Sequence, residues 1–285
     1  MKHTGYLTLV RELTRAACGG VVDITEAHGG KGIYASAHPH LLAARQASGY
    51  SLSTLGVAQD ACFDSVTGVG PVRDMQPGTI AYAGSAALHA QLVRDRSVSS
   101  LTLVDNNPEV RVVADRVFSQ PCFSTVRSVL RTEDPVGASE PKLLLDLRNG
   151  VLGGTHVLHF DPFAFVMAKD DIGTRASYRE ILRECDARVG AGRLAATSLF
   201  FTWGSHGAAA KEDLFGGGYA GGLPGGYQEL VSSVAASQRI VVSWCWELYF
   251  SILFIVPDTL RPKLARALKA DLAWLAPLMS HVSIR

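Results

Sequence analysis

The chain has 285 residues and a mass of 30.4 kDa, and 47% of its residues are hydrophobic while 19% are charged. This composition excludes a disordered scaffold, and the length suits one α/β core with an insertion better than two full-size domains. With 27 basic and 26 acidic residues the formal net charge is +1, so bulk charge neither supports nor excludes a nucleic-acid partner.

The cysteines and the apolar segments predict a cytoplasmic protein without a membrane span. The five cysteines are odd in number, with no Cys-x-x-Cys and no zinc-type spacing, which favours reduced thiols. Arg11, Glu12 and Arg15 interrupt any apolar region of a signal peptide. The longest apolar stretch, 240–256, contains Glu247 and is rich in aromatic and β-branched residues, which is typical of strands.

The first half of the sequence alternates predicted strands and helices. An apolar spacing of three to four residues predicts a helix that ends at Gly19, and a strand over 21–26 follows. Residues 36–80 have only weak helical patterning and predict an inserted segment, so that 1–35 and 81–285 form the main domain. Further along, the pattern predicts a helix over 85–96, a strand over 99–104 and a helix over 108–118. Such alternation is typical of a doubly wound parallel sheet, which binds ligands at the carboxyl ends of its strands.

The second half predicts the remaining strands and a closing helix. Strands are predicted over 125–131, 157–160 and 199–203, and residues 241–256 predict an antiparallel hairpin. Leu264, Leu268, Leu272 and Leu275 have the spacing of an amphipathic helix. The expected fold is therefore α/β, with a mostly parallel sheet, an antiparallel hairpin at its end and a small helical insertion.

Acidic and glycine residues at the ends of successive strands are the main functional signal. Glu26 opens the turn E-A-H-G-G-K-G, in which glycines let a backbone approach a ligand, although such a turn can also be only a tight connection. Asp105 ends the next strand, 75 residues after the turn, and its alternative role is the N-cap of the helix that begins at Pro108.

The segment D-P-F-A-F follows the predicted strand 157–160. The carboxylate of Asp161 could accept a hydrogen bond from an amine and hold the nitrogen lone pair in line with an electrophilic methyl group. Phe163 or Phe165 could stack on a planar base. The alternative is structural, with Asp161 capping a turn and both phenylalanines in the core.

Other familiar motifs are absent from the sequence. No histidine spacing forms a metal triad, so no metal is expected. G-x-S-x-G and the Walker loop are missing, which argues against hydrolases and nucleotide triphosphatases of those types. An NAD-type oxidoreductase is disfavoured because no acid on a clear strand follows the glycine turn at about 20 residues.

Six segments, in order along most of the chain, resemble the class I S-adenosylmethionine-dependent methyltransferases that modify the exocyclic amine of an adenine in large-subunit ribosomal RNA, the RlmJ type. None of the segments is specific by itself, and the resemblance rests on their common order. The segments and their family counterparts are K-H-T (2–4) with L-K-H-T, E-A-H-G-G-K-G-I-Y (26–34) with D-T-H-A-G-A-G-R-Y, Y-A-G-S (82–85) with Y-P-G-S, L-T-L-V-D-N-N-P (101–108) with an acid-x-x-Pro strand end, D-P-F (161–163) with the start of D-P-P-Y, and D-L-A-W-L (271–275) with L-P-W-L.

The resemblance implies a Rossmann-like class I methyltransferase sheet, S-adenosylmethionine as cofactor and an adenine in RNA as acceptor. It implies that Asp161 is the catalytic carboxylate, with Pro162 and Phe163 or Phe165 on the substrate side. The residues implied to surround the cofactor are His3, Glu26, His28, Gly30, Gly32, Ser85, Asp105 and Asp134, with Glu133 as the alternative to Asp134.

Two departures from the family pattern lie on the acceptor side. D-P-P-Y is replaced by D-P-F-A-F, and no His/Tyr-rich arm stands ahead of K-H-T in this sequence. They leave open a small-molecule amine as acceptor, or an inactive protein of the same fold that binds a nucleotide or a partner. Four basic residues could form a strip for RNA or a solvated helix face: Lys169, Arg175, Arg179 and Arg183.

Overall fold

A computed structural model describes most of the chain and positions the predicted sheet. The described residues are 2–16, 22–28, 30, 32–36, 39–53, 55–59, 80–94, 98–105, 107–119, 128–131, 142–161, 172–203, 230–245, 249–279 and 281–285. Within these ranges, no helix is both long enough and apolar enough to cross a membrane.

Ten strands and seven longer helices are assigned in the described residues. The strands are β1 (Val22–Ala27), β2 (Ile33–Ser36), β3 (Ile80–Ala83), β4 (Val98–Val104), β5 (Ser128–Arg131), β6 (His156–Phe160), β7 (Ala196–Trp203), β8 (Arg239–Cys245), β9 (Tyr249–Ile255) and β10 (His281–Ile284). The helices are α1 (Lys2–Ala16), α2 (Pro39–Gln46), α3 (Ser85–Arg94), α4 (Pro108–Phe118), α5 (Lys142–Arg148), α6 (Ile172–Gly190) and α7 (Arg261–Asp271), followed by a 3₁₀ helix at Ala273–Leu278.

Eight of the strands form one mixed sheet in the order β10-β8-β9-β7-β6-β1-β4-β5. The five strands from β7 to β5 are parallel, and the carboxyl ends of β6, β1 and β4 meet at one edge of the sheet. The three strands at the other end pair antiparallel. The expected α/β sheet, mostly parallel with antiparallel strands at its end, is therefore present.

Two apolar clusters fill the two faces of the sheet. On one face, helices α1, α3 and α7 pack on side chains such as Ile24 and Val157. On the other face, α5 and α6 pack on Ala27, Leu158 and Phe160. Because side chains alternate along a strand, Glu26 lies on the same face as Ile24, under α1 and α3.

A small second sheet joins the glycine turn to the main domain. Strands β2 and β3 pair antiparallel, with Tyr34 opposite Tyr82. The amide of Gly84 donates to the carbonyl of Gly32 at 2.6 Å, which ties the glycine turn to the start of α3. The predicted insertion, 36–80, lies between β2 and β3, and much of it falls outside the described residues.

Most predicted elements agree with the structure within a few residues, but one helix ends differently and several elements were not predicted. The helix predicted through Leu275 ends as an α-helix at Asp271 and continues as the 3₁₀ helix, which contains Pro277. Helices α5 and α6 and strands β2, β3 and β10 were not predicted. The 240–256 segment forms β8 and β9, as its strand-like composition indicated.

Candidate functional site

Three acidic residues lie at one edge of the sheet, on neighbouring strands. Ala27 is the register partner of the last residue of β4 and of the last residue of β6. Asp105 and Asp161 follow these two strands directly, and Glu26 lies one residue before the end of β1. The topology therefore brings together the strand-end acids that the sequence singled out.

The carboxylate of Asp161 is held by an ion pair with Lys2. Lys2 Nζ donates to Asp161 Oδ2 at 2.7 Å and to Oδ1 at 3.0 Å, across 159 positions of the chain. The same ammonium lies 4.7 Å from the ring centroid of Phe200. The Lys2 side chain is 25% exposed and that of Asp161 is 13% exposed, so the carboxylate is oriented by the pair and still reaches the surface.

Glu26 lies beneath Asp161 and is fully buried. Ser85 donates a hydrogen bond to Glu26 Oε1, and His89 Nδ1 lies 3.2 Å from Oε2, so α3 supplies partners for both oxygens. Ser85 Oγ also lies 3.5 Å from Asp161 Oδ2 and links the two carboxyl groups. Burial raises the pKa of Glu26 above its ordinary value, while the hydrogen bonds from His89 and Ser85 oppose that shift.

The Glu26→Gln variant is expected to change how stability depends on pH. The raised pKa means that the folded state keeps the Glu26 proton at a pH where the unfolded chain, with a pKa of about 4.3, has lost it. The parent's free energy of unfolding should therefore fall relative to that of Glu26→Gln as pH rises from about 4 toward the folded-state pKa, with a slope of at most about 1.4 kcal/mol per pH unit.

Urea unfolding between pH 4 and pH 8 measures this difference. Glu109→Gln is the matched control, because Glu109 is exposed in the first turn of α4. A difference between parent and Glu26→Gln that stays constant with pH, or grows in the parent's favour, contradicts the assignment of Glu26 as a buried carboxyl with a raised pKa.

The turn after β1 has an unusual backbone. His28, Gly30 and Gly32 have φ values of 66°, 61° and 77°, all in the left-handed region. A Cβ at Gly30 would lie 2.1 Å from Tyr34 Oη, and one at Gly32 would touch the ring of Phe118. Glycine is therefore required at position 30 both by conformation and by space.

Asp105 holds this turn against β4. Its Oδ2 accepts from the Gly30 amide at 3.2 Å, and its Oδ1 accepts from the Asn107 amide at 2.8 Å. The N-cap of α4 is Asn107, whose side chain accepts from Glu109 N and Val110 N. The N-cap role considered for Asp105 thus belongs to Asn107, and Asp105, which is partly exposed, faces the glycine turn.

Aromatic rings flank the turn on the side of α1. Tyr34 stacks on Tyr82 at a centroid distance of 5.2 Å and an interplanar angle of 16°. The ring of His3 lies 6.4 Å from that of Tyr82. Burial, and then the charge of Lys2, hold the pKa of His3 well below its ordinary value, so its imidazole is neutral at neutral pH.

Lys2, His89 and His159 belong to the site and were not among the predicted site residues. Lys2 stood within the quoted K-H-T segment, but its pairing with Asp161 is too distant in sequence to be read from spacing. The signal for His159 was its position two residues before Asp161 on a predicted strand, which places both side chains on one face.

Glu26, His159 and Asp161 each offer a possible metal-ligand atom within 4.8 Å of the other two. The Lys2 ammonium, bonded to both oxygens of Asp161, already places a positive charge against this group. The donor set therefore matches an ion-paired polar cluster better than a divalent-cation site.

Several predicted residues lie outside the described part of the chain. They are Glu133, Asp134, Pro162, Phe163 and Phe165, together with Lys169 of the basic strip. The other three basic residues, Arg175, Arg179 and Arg183, lie on α6. The described candidate site consists of Lys2, His3, Glu26, His28, Gly30, Gly32, Ser85, His89, Asp105, His159 and Asp161.

Comparison with known proteins finds solved structures of similar fold. No protein-family model matches the chain, and no curated protein matches it. The chain is similar to LPL1258 from Legionella pneumophila str. Philadelphia 1, a protein assigned to the family model DUF519. The TM-score is 0.57 and the identity is 13%, over 99% of this chain and 95% of that one. The likeness covers almost the whole of both chains and shows a shared fold.

Proposed function

We propose that this chain is an S-adenosylmethionine-dependent N-methyltransferase with a Rossmann-like class I sheet, and that its acceptor is an exocyclic amine of adenine in RNA. The observation that carries the proposal is the ion-paired carboxylate of Asp161 at the end of β6, beside a left-handed glycine turn at the end of β1. The end of β6 offers an oriented hydrogen-bond acceptor for an amine, and the ends of the neighbouring strands offer the glycine turn and Asp105.

The residues around the glycine turn fit the cofactor. Gly30 and Gly32 permit the left-handed backbone of the turn, and the partly exposed carboxylate of Asp105 can accept hydrogen bonds from ribose hydroxyls in addition to those from two amides. Ser85, held by buried Glu26, would present its hydroxyl on the same side. When bound, S-adenosylmethionine supplies an electrophilic methyl group.

Asp161 would act on the acceptor nitrogen. Its carboxylate can accept a hydrogen bond from the amine and so direct the lone pair toward the methyl carbon. Lys2 fixes the orientation of that carboxylate, which lowers the entropy lost when the acceptor binds. No covalent bond between the protein and the substrate is needed for a direct displacement.

Titration calorimetry with S-adenosylmethionine and with NAD tests the cofactor. We expect micromolar binding of the former and none of the latter; the reverse result, or no binding of S-adenosylmethionine, refutes the proposal. Asp105→Ala should weaken S-adenosylmethionine binding about tenfold to a hundredfold, because it removes a hydrogen-bond acceptor and releases Gly30, each worth about 0.5–1.5 kcal/mol.

Asp115→Ala is the matched control for Asp105→Ala. Asp115 is an exposed carboxylate on α4, away from the glycine turn, and its loss should leave the S-adenosylmethionine Kd unchanged. Equal affinities for the parent and for Asp105→Ala would remove Asp105 from the cofactor site.

A labelled-methyl assay separates the acceptors. The changed D-P-F-A-F segment favours, as a second candidate, an amine on a small molecule. Purified protein is incubated with methyl-labelled S-adenosylmethionine and either unmodified large-subunit ribosomal RNA transcript or a deproteinised small-molecule extract. Label in N6-methyladenosine after nuclease digestion supports the RNA acceptor; label only in the extract replaces it by the second candidate. Cofactor binding without transfer to either indicates a binding protein.

A further inference from the structure

A buried polar row crosses three strands beneath the candidate site. Glu26 in β1 is the register partner of His159 in β6, and His159 is the register partner of Ser198 in β7. Register partners in neighbouring strands point to the same face, so these side chains lie side by side under α1. Glu26 is 0% exposed, and His159 and Ser198 are each 1% exposed.

The imidazole of His159 is fixed on one side and open to hydrogen bonding on the other. His159 Nδ1 lies 2.8 Å from Ser198 Oγ, and the Tyr6 ring packs against the imidazole at a centroid distance of 3.5 Å. His159 Nε2 is buried and has no hydrogen-bond partner among the described residues. A buried polar atom left without a partner costs about 1–3 kcal/mol, and such atoms concentrate where a structure serves a function.

The two carboxyl groups of the site lie close to this imidazole. One ring nitrogen of His159 is within 4.8 Å of an oxygen of Glu26 and of an oxygen of Asp161. With the Nδ1 proton directed to Ser198, Nε2 carries a lone pair. The neutral imidazole therefore has a ring nitrogen within 4.8 Å of the proposed catalytic carboxylate, a separation that a proton can cross through one bridging water.

Charged and titratable groups surround His159, and they belong to α1, β1, the glycine turn, α3 and the end of β6. They are Lys2, His3 and Tyr6 on α1, Glu26 on β1, His28 in the glycine turn, His89 on α3 and Asp161 at the end of β6. Burial is the largest cause that lowers the pKa of His159 well below its ordinary value, followed by the charge of His89. The imidazole is consequently neutral before the reaction.

We propose that His159 takes up, through Asp161, the proton that the acceptor nitrogen loses during methyl transfer. This inference rests on the proposed function and assigns a positioning residue behind the catalytic carboxylate. The nitrogen lone pair forms the bond to the methyl carbon, and the electrons of the breaking carbon–sulfur bond remain on sulfur. The proton then on nitrogen passes to a carboxylate oxygen of Asp161 and from there, through a bridging water, to His159 Nε2.

The transfer keeps the ion pair of the site intact. A proton left on Asp161 would deprive the Lys2 ammonium of its counter-ion, and an unpaired, partly buried charge is costly. A proton on His159 instead produces an imidazolium between the carboxyl groups of Glu26 and Asp161. After the product leaves, the proton returns from His159 to Asp161, which is 13% exposed and releases it to water.

Single-turnover methyl transfer by His159→Gln tests this role. The probe is unmodified large-subunit ribosomal RNA transcript with methyl-labelled S-adenosylmethionine, assayed from pH 6 to pH 9. We expect about a hundredfold slower transfer at pH 7, the usual size of an acid–base contribution, with the deficit shrinking as pH rises because hydroxide then removes the proton. The S-adenosylmethionine Kd should stay within threefold of the parent value.

His156→Gln is the matched control, because His156 begins the same strand at the opposite edge of the sheet and bonds to the Gly153 carbonyl. Ser198→Ala is the second variant: it keeps the imidazole but removes the partner of Nδ1, and should slow transfer about tenfold with a changed pH profile. If the His159→Gln protein does not fold, Ser198→Ala decides the question.

Three results would overturn the inference. The first is an unchanged rate and pH profile in His159→Gln, or in Ser198→Ala where only that variant folds. The second is a loss of rate that is the same at every pH, which indicates a purely structural role. The third is a parent activity that a chelator abolishes and Mn²⁺ restores, which would make His159 a metal ligand. If the parent protein transfers no methyl group, both the proposed function and this inference are refuted. If the parent protein is active, the His159 and Ser198 variants test this inference alone.

Discussion

Asp161→Asn is expected to slow methyl transfer by about 10²–10³-fold while leaving the S-adenosylmethionine Kd within about threefold. Asparagine keeps the shape of the side chain but has no negative charge and cannot take a proton from the acceptor amine. Asp161 lies at the end of β6, away from the Asp105 side of the glycine turn, and therefore on the acceptor side of the site. Single-turnover transfer of labelled methyl groups measures the rate, and calorimetry measures the affinity.

The matched control is Asp258→Asn. Asp258 is an exposed carboxylate just after β9, whose end pairs with the beginning of β7 at the opposite edge of the sheet. Asp161→Asn also leaves the Lys2 ammonium without its counter-ion, which can destabilise the fold. The double variant Lys2→Met with Asp161→Asn has no unpaired ammonium, so a loss of methyl transfer that persists in it is not caused by unfolding. Transfer at the parent rate in a folded Asp161→Asn protein would show that Asp161 is not catalytic.

Gly30→Ala is expected to lower the free energy of unfolding by about 2–5 kcal/mol and to weaken S-adenosylmethionine binding at least tenfold. The left-handed φ of 61° costs a residue with a Cβ about 1–2 kcal/mol. The added Cβ would also lie 2.1 Å from Tyr34 Oη, and forcing a packed ring aside costs about 1–3 kcal/mol. Tyr34 cannot move freely, because it stacks on Tyr82.

Two variants separate these causes. Gly154→Ala has nearly the same φ, 62°, with nothing within 4 Å of the added Cβ, so it measures the conformational cost alone. Adding Tyr34→Phe to Gly30→Ala removes the overlapping oxygen and leaves the ring carbon at an ordinary 3.4 Å. Urea unfolding should place this double variant near Gly154→Ala. Equal destabilisation by Gly30→Ala and Gly154→Ala would refute the overlap with Tyr34.

Elements with strong local signals were predictable from the sequence. Helix α4 begins at Pro108 after the capping residue Asn107 and ends at Phe118, as expected, because cap and periodicity agree there. Helix α5 has only seven residues, K-L-L-L-D-L-R, too few to show a helical period. Strand β10 has four residues and pairs with β8, about 40 positions earlier, so its signal is tertiary.

The position of the site was predictable, but its internal connections were not. Glu26, Asp105 and Asp161 end strands that a doubly wound pattern makes parallel, and parallel strands bring their carboxyl ends to one edge. The pairing of Asp161 with Lys2 depends on how α1 docks on the sheet, which no spacing encodes. The burial of Glu26 depends in the same way on α3, which covers it with Ser85 and His89.

Helix α1 both packs in the core and supplies a residue of the site, which couples folding to ligand binding. Its residues Tyr6, Leu9 and Val10 anchor it in the core, while Lys2 at its start bonds Asp161. A local opening that undocks this helix therefore dismantles the site at the same moment. By thermodynamic linkage, any molecule that binds only the assembled site must also protect the amides of this helix from hydrogen exchange, in proportion to its occupancy.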